Sequence, residues 1–156
     1  MKTAILFVAL AFASAACAQQ APAQQAAVQQ QIRDLEQKSN AAYAANDLPL
    51  YFSFYAADFT QWLPSGRTNL EEYKKMWSGF IGGGGRVLQD DISDLQIQVG
   101  PSGDTAIASY LLHVKTQSAK GKVSDEHFQE TDVFFKRDGS WKIVHLHYSP
   151  AREKKS

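Results

Sequence analysis

The stretch His127-Phe-Gln-Glu-Thr-Asp-Val-Phe-Phe-Lys-Arg-Asp-Gly-Ser-Trp-Lys-Ile-Val-His-Leu-His-Tyr-Ser149 decides how this chain is read. Two β-rich arms flank Asp138-Gly139, the dipeptide that best accepts the positive φ angles of a two-residue hairpin turn. The arms mix polar with apolar side chains: His127, Gln129 and Thr131 on the first, His145 and His147 on the second. A ribbon that carries polar groups on a buriable face borders a cavity or an interface. By alternation alone, Gln129 and Thr131 share a face with His127, Val133 and Phe135, and that face is expected to look into a cavity. Glu130 and Asp132, with Phe128 and Phe134, are then expected on the outer side.

Working back from the hairpin, two further strands are expected over residues 105–117 and 86–99, joined by Gly100-Pro-Ser-Gly103 and followed by the turn Ala119-Lys-Gly121. The N-terminal half is helical instead. Val28, Ile32, Leu35, Ser39 and Ala42 or Tyr43 recur at three- and four-residue steps, the spacing of an amphipathic helix. Asn46-Asp47 ends it, and Asp47 is placed to cap a short helix over residues 48–55 with Pro49 at its start. A short strand, residues 59–63, and turn chemistry at residues 64–67 follow. Thr68 or Asn69 then caps a third helix over residues 70–81, whose first turn carries Glu71 and Glu72 where the helix dipole favours negative charge. Four glycines, residues 82–85, stop this helix. No Lys-Ser/Thr follows them, so they read as a connector and not as a phosphate cradle. Three helices first and an antiparallel meander afterwards give an α+β fold, with the helices on the concave face of the sheet.

The chain opens like an export signal. Lys2 precedes an apolar run over residues 4–13 that is too short to span a bilayer, and Ala16-Cys17-Ala18 supplies small residues for cleavage before Gln19. Residues 1–18 are therefore expected to be a signal peptide, residues 19–25 a disordered Ala/Gln tether, residues 26–151 the domain and residues 152–156 a charged tail. The expected location is periplasmic or secreted. Lipidation at Cys17 is the alternative, and the only route to a membrane; Ser14 stands where a lipobox carries an aliphatic residue. Cys17 is the sole cysteine, so a processed chain has no disulfide and no thiol. Sixteen basic and sixteen acidic residues cancel, which argues against a nucleic-acid partner. Three Trp, six Tyr and nine Phe point to a core with a roomy, partly polar lining.

Element order and hairpin together resemble the nuclear transport factor 2-like superfamily, in its SnoaL-like branch, and most closely the calcium/calmodulin-dependent protein kinase II association domain. The motifs that carry the resemblance are Glu130-Thr131-Asp132-Val133, Arg137-Asp138-Gly139-Ser140-Trp141 and Val144-His145-Leu146-His147-Tyr148-Ser149. It implies a curved sheet wrapped around three helices as a cone, a pocket at the open end, and homodimers or larger oligomers built sheet against sheet. Aligned with ketosteroid isomerases, the chain has Leu63 where the base belongs and Ser39 where the oxyanion-stabilising Tyr belongs, so that route of catalysis is disfavoured. The pocket Arg of the kinase domain corresponds to His113.

From these readings the expected ligand-binding residues are Tyr43, Trp62, Tyr73, Trp77, His113, Gln129, Thr131 and His147. Asp58, His113 and His147 are the candidates for catalytic acid–base roles. His145 and His147, with His113 or His127, have the right ring nitrogens for a metal, but no carboxylate is clearly placed to orient them; no metal and no cofactor is expected. The expected function is binding of a small, partly apolar molecule together with self-association. A cofactor-independent isomerase, cyclase or hydrolase and a pure oligomerisation module are the alternatives.

Overall fold

The computed structural model of the chain describes residues 9–151 apart from Pro64, with side chains described from residue 22 onward. Residues 1–8, where the signal peptide is expected to begin, and residues 152–156, the expected charged tail, lie outside the described residues. The element order is α1 (Ala9–Ala44), α2 (Leu48–Ser53), β1 (Tyr55–Leu63), β2 (Gly66–Asn69), α3 (Leu70–Gly82), β3 (Arg86–Val99), β4 (Thr105–Gln117), β5 (Val123–Arg137) and β6 (Ser140–Pro150). The six strands form one sheet in the order β2-β1-β6-β5-β4-β3. All neighbours are antiparallel except β1 and β6, which run parallel, so the sheet is mixed.

The β5–β6 ribbon lies at the centre of this sheet, paired from Phe128↔Pro150 to Arg137↔Ser140. Asp138 (φ 51°) and Gly139 (φ 77°) both take positive φ, as a type I′ turn requires. Between the Val133↔His145 and Phe134↔Ile143 pairs the register shifts, leaving Val144 as a bulge. Further shifts interrupt β3 against β4 at two places, and one coincides with Asp94 at φ 53°. Bulges increase local twist and bend, which lets the sheet wrap around its helices.

The helices form where sequence periodicity places them. On α1, Val28, Ile32, Ala42 and Tyr43 are buried in a single core with Phe59, Phe134 and Leu146. Asn46, with φ 60°, turns the chain out of α1 and ties it to β3: its amide accepts from Val87 N at 2.7 Å and donates to Val87 O at 3.1 Å. Asp47 caps α2 by accepting from Leu50 N. Asn69 and Glu72 form a reciprocal capping box at the start of α3. The glycine connector is closely packed at Gly85, where a Cβ would lie 2.7 Å from the Phe80 ring.

Three local expectations are corrected. Residues 19–25 are helical, as part of α1, and not an irregular tether; Ala and Gln are good helix formers, and they outweigh the single interior Pro22. The second helix is shorter than expected and β1 correspondingly longer, because Phe54 caps α2 and Tyr55 already pairs with Ile143. The segment after Pro64 is a tight turn that continues into an edge strand, β2.

Removing the capping box tests the α3 boundary. Asn69→Ala is expected to lower unfolding free energy by about 1 kcal/mol, read by urea denaturation, with the m-value unchanged.

Candidate functional site

The cone encloses a cavity of about 170 Å³ between α1, α3 and the strands β3 to β6. Tyr43 from α1 and Trp77 from α3 form one wall, their rings perpendicular with centroids 4.8 Å apart. Phe128 and Tyr148, perpendicular at 5.0 Å, form another on the central ribbon. Tyr51 and Tyr73 close the floor, and a hydroxyl chain runs from Tyr55 to Tyr51 (2.6 Å) and on to Tyr73 (2.8 Å). Burial pushes the Tyr51, Tyr55 and Tyr73 phenols above their ordinary range, so they remain neutral. The half-exposed Met76 and the exposed Glu126 mark the mouth.

The inner face of the sheet is acidic. Asp90 from β3 and Glu130 from β5 line the cavity. Both Asp90 oxygens are shut off from solvent without a hydrogen-bond partner. Desolvation is the main reason its carboxyl is raised from 3.8 to about 8, with Glu130 and Asp91 adding repulsion. Beside the cavity, Tyr110 donates to Glu130 Oε1 at 2.7 Å and to Asp132 Oδ2 at 3.2 Å. Glu36, fully buried on α1, completes this cluster near Asp132. No well-formed hydrogen bond reaches either Glu36 oxygen, and burial, then the Glu130 charge, raises its carboxyl from 4.5 to about 8. Glu130 is raised to about 7 and Asp132 well above its ordinary value, each chiefly by desolvation. An arrangement this dry holds protons that a solvated carboxylate would have lost.

The structure divides the expected site residues. Tyr43, Tyr73 and Trp77 line the cavity. Gln129, Thr131, His113 and His147 do not: the face that looks inward carries Phe128, Glu130, Asp132 and Phe134. The two hairpin faces are therefore exchanged relative to expectation. On β6 the Val144 bulge reverses the alternation, so Ile143 and Leu146 are both buried while His145 and His147 turn outward. Trp62 pairs with His147 on β1 and is 49% exposed. Asp58 holds Arg137 with two contacts of 2.8 and 2.9 Å at the surface, a structural ion pair and not a buried base.

His113 stacks on His127 across the β4–β5 pair, with centroids 4.1 Å apart, and bonds Asp125 at 2.6 Å. His113, Asp125 and His127 bring ligating atoms within 4.8 Å of one another on the outside of the sheet. Lys115 occupies the same Asp125 carboxylate at 3.1 Å, and its positive charge opposes a metal cation there.

In sequence, residues 32–153 match the SnoaL-like domain family. The chain belongs to that family. No curated protein matches it in sequence. In fold it is similar to a nuclear transport factor 2-like protein from Cytophaga hutchinsonii, at 22% identity and TM-score 0.69 over 79% of this chain and 98% of that one. A nuclear transport factor 2-like protein from Rhodospirillum rubrum, described as of unknown function in nutrient uptake, superposes with TM-score 0.68 at 18% identity, covering 78% of this chain and 98% of its own. The association domain of C. elegans calcium/calmodulin-dependent kinase II gives TM-score 0.65 at 20% identity, over 80% and 97% of the two chains. Identities this low establish the cone fold and leave chemistry to the site itself.

The acid cluster predicts an unusual pH dependence. Folded-state values raised to about 8 for Glu36 and about 7 for Glu130 mean that the folded protein holds more protons than the unfolded chain from pH 4.5 upward. Stability is fully present below the ordinary carboxyl values and is lost as pH rises through the raised ones, by up to ~1.4 kcal/mol per pH unit for each group. The thermal midpoint is expected to be higher at pH 5 than at pH 8, and Glu36→Gln is expected to flatten the slope. A midpoint that rises over this interval, measured by differential scanning calorimetry, would refute the assignment.

Proposed function

We propose that this SnoaL-like protein is exported and binds a small, partly apolar molecule inside its cone. The observation that carries this reading is the aromatic cavity of about 170 Å³. An engineered apolar cavity of about 150 Å³ accepts benzene, so this one suits a one-ring compound or a short branched aliphatic. Its polar atoms, the carboxyls of Asp90 and Glu130 among them, would fix orientation, as a few converging polar groups do in small-molecule sites. Export is supported by Lys2, the apolar run after it and Ala16-Cys17-Ala18. No helix among the described residues is long and apolar enough to cross a membrane.

Self-association through the outer sheet face is the second part of the proposal. Ile107, Leu111 and Phe135 stand there 37%, 45% and 36% exposed, beside the outward Val133 and Thr131. An apolar strip of this kind on a sheet face is the usual mark of a protein contact. A relative in fold is a domain named for association, which agrees with this use of the surface.

One observation favours catalysis as an alternative use of the same cavity. Glu130, raised to about 7, stands in its wall, and a carboxyl near neutrality can both give and take a proton.

Two measurements test the proposal. A panel of one-ring probes, neutral and charged, is expected to raise the thermal midpoint in proportion to the logarithm of ligand concentration; no shift with any member overturns the binding reading. By multi-angle light scattering the mature chain is expected to be a dimer or larger at micromolar concentration, and Leu111→Asp, at the middle of the outer strip, is expected to yield monomers. A wild-type monomer would remove the interface.

A further inference from the structure

The charge of the cavity narrows its ligand. Three acids line it, Asp90, Glu126 and Glu130, and among the described residues no Lys, Arg or His does. His113 offers no cation either, because it points to the outer face between the inward Leu112 and Val114. An anionic ligand would meet carboxyls on one side and aromatic rings on the other, with nothing to balance its charge. Neutral apolar ligands would fill the space but leave both Asp90 oxygens as they are, enclosed and without a donor. That omission is costly, because a buried acceptor left unpaired has given up its hydration without a replacement.

The aromatic walls point the same way. Tyr43 and Trp77 meet at 88° and Phe128 and Tyr148 at 81°, so ring surfaces stand on more than one side of the cavity. Aromatic rings attract cations through their quadrupoles, most strongly from Trp and where water is excluded. A carboxylate with two free acceptor oxygens in such surroundings supplies the missing opposite charge.

We propose that the cone cavity is a receptor for a small organic cation, an ammonium group on a one-ring or short aliphatic body, held by Asp90 and the aromatic walls of Trp77, Tyr43 and Tyr148. This rests on the binding reading above and adds the chemical class of the ligand. The raised carboxyl of Asp90 accords with it: the empty site keeps the acid protonated, and the incoming ammonium takes the place of that proton. The exchange balances, because the carboxyl proton leaves to solvent as the N–H donors of the ammonium replace it. Glu130, Asp91 and the Tyr43 phenol are the ionisable groups that act on Asp90, and none of them is a base that could neutralise it in the ligand's absence.

Isothermal titration of the mature protein near pH 7.5 (roughly neutral, where aliphatic ammonium groups stay protonated) with benzylamine, benzyl alcohol and benzoate decides the matter. The three probes share a ring and differ in charge. Benzylamine is expected to bind at least about tenfold tighter than benzyl alcohol, with benzoate weakest. Asp90→Asn, which keeps the shape and removes the charge, is expected to reduce the ratio of amine to alcohol affinity to less than about threefold, with an unchanged far-ultraviolet circular dichroism spectrum reporting that the variant is folded. Benzyl alcohol or benzoate binding as tightly as the amine would overturn the cation assignment and leave the binding reading standing. An amine preference that survives in Asp90→Asn would overturn the role of Asp90. If none of the three binds, both readings fall together.

Discussion

The central ribbon is zipped from Phe128↔Pro150 to Arg137↔Ser140, and one extra residue, Val144, interrupts it. Everything inside the cone follows from where that interruption falls. Before it, Ile143 points inward opposite Phe134; after it, Leu146 and Tyr148 point inward opposite Asp132 and Glu130. Because side chains alternate with period two, a single added residue sends every later one to the other face. Without the bulge, His145 and His147 would enter the cone in place of Leu146 and Tyr148, and the cavity would present imidazoles to the buried acids.

The acids are the second consequence of this register. Glu130 and Asp132 are carried into the core by β5, where α1 adds Glu36 and β3 adds Asp90. Charged carboxylates could not share so small and dry a volume, since each would bear both its own desolvation and its neighbours' repulsion. Raised carboxyl values are the result, and the Tyr110 hydroxyl, within hydrogen-bond distance of Glu130 and Asp132, organises the cluster. A core of this kind is less stable than an apolar equivalent would be.

The two surfaces of the sheet thus divide the labour. The concave side holds desolvated acids and aromatic rings around a small void, and the convex side displays aliphatic residues, histidines and the surface pairs that fix strand ends. Arg137 and Asp58 are one such pair; they join the hairpin tip to β1, remote from the cavity.

The α+β class, the helix caps at Asp47 and Asn69, the Asp138-Gly139 turn and the family motifs are all legible in the sequence, because each depends on residues close together in the chain. Tyr43, Tyr73 and Trp77 are likewise expected at the cavity, because they fall on helices that line the cone implied by the family resemblance. Glu36 was within reach, since it stands one turn beyond Ile32 on the buried stripe of α1, and only its charge spoke against burial. The hairpin faces were not, because on β5 apolar residues occupy both sides, Val133 and Phe135 on one and Phe128 and Phe134 on the other. Alternation then has no preferred phase, and a bulge leaves no local signature that fixes its position. Tertiary packing chose the phase by seating Phe134, Ile143 and Leu146 in the core, and Glu130, Asp132, Asp90 and Tyr148 were carried to the inner face with them.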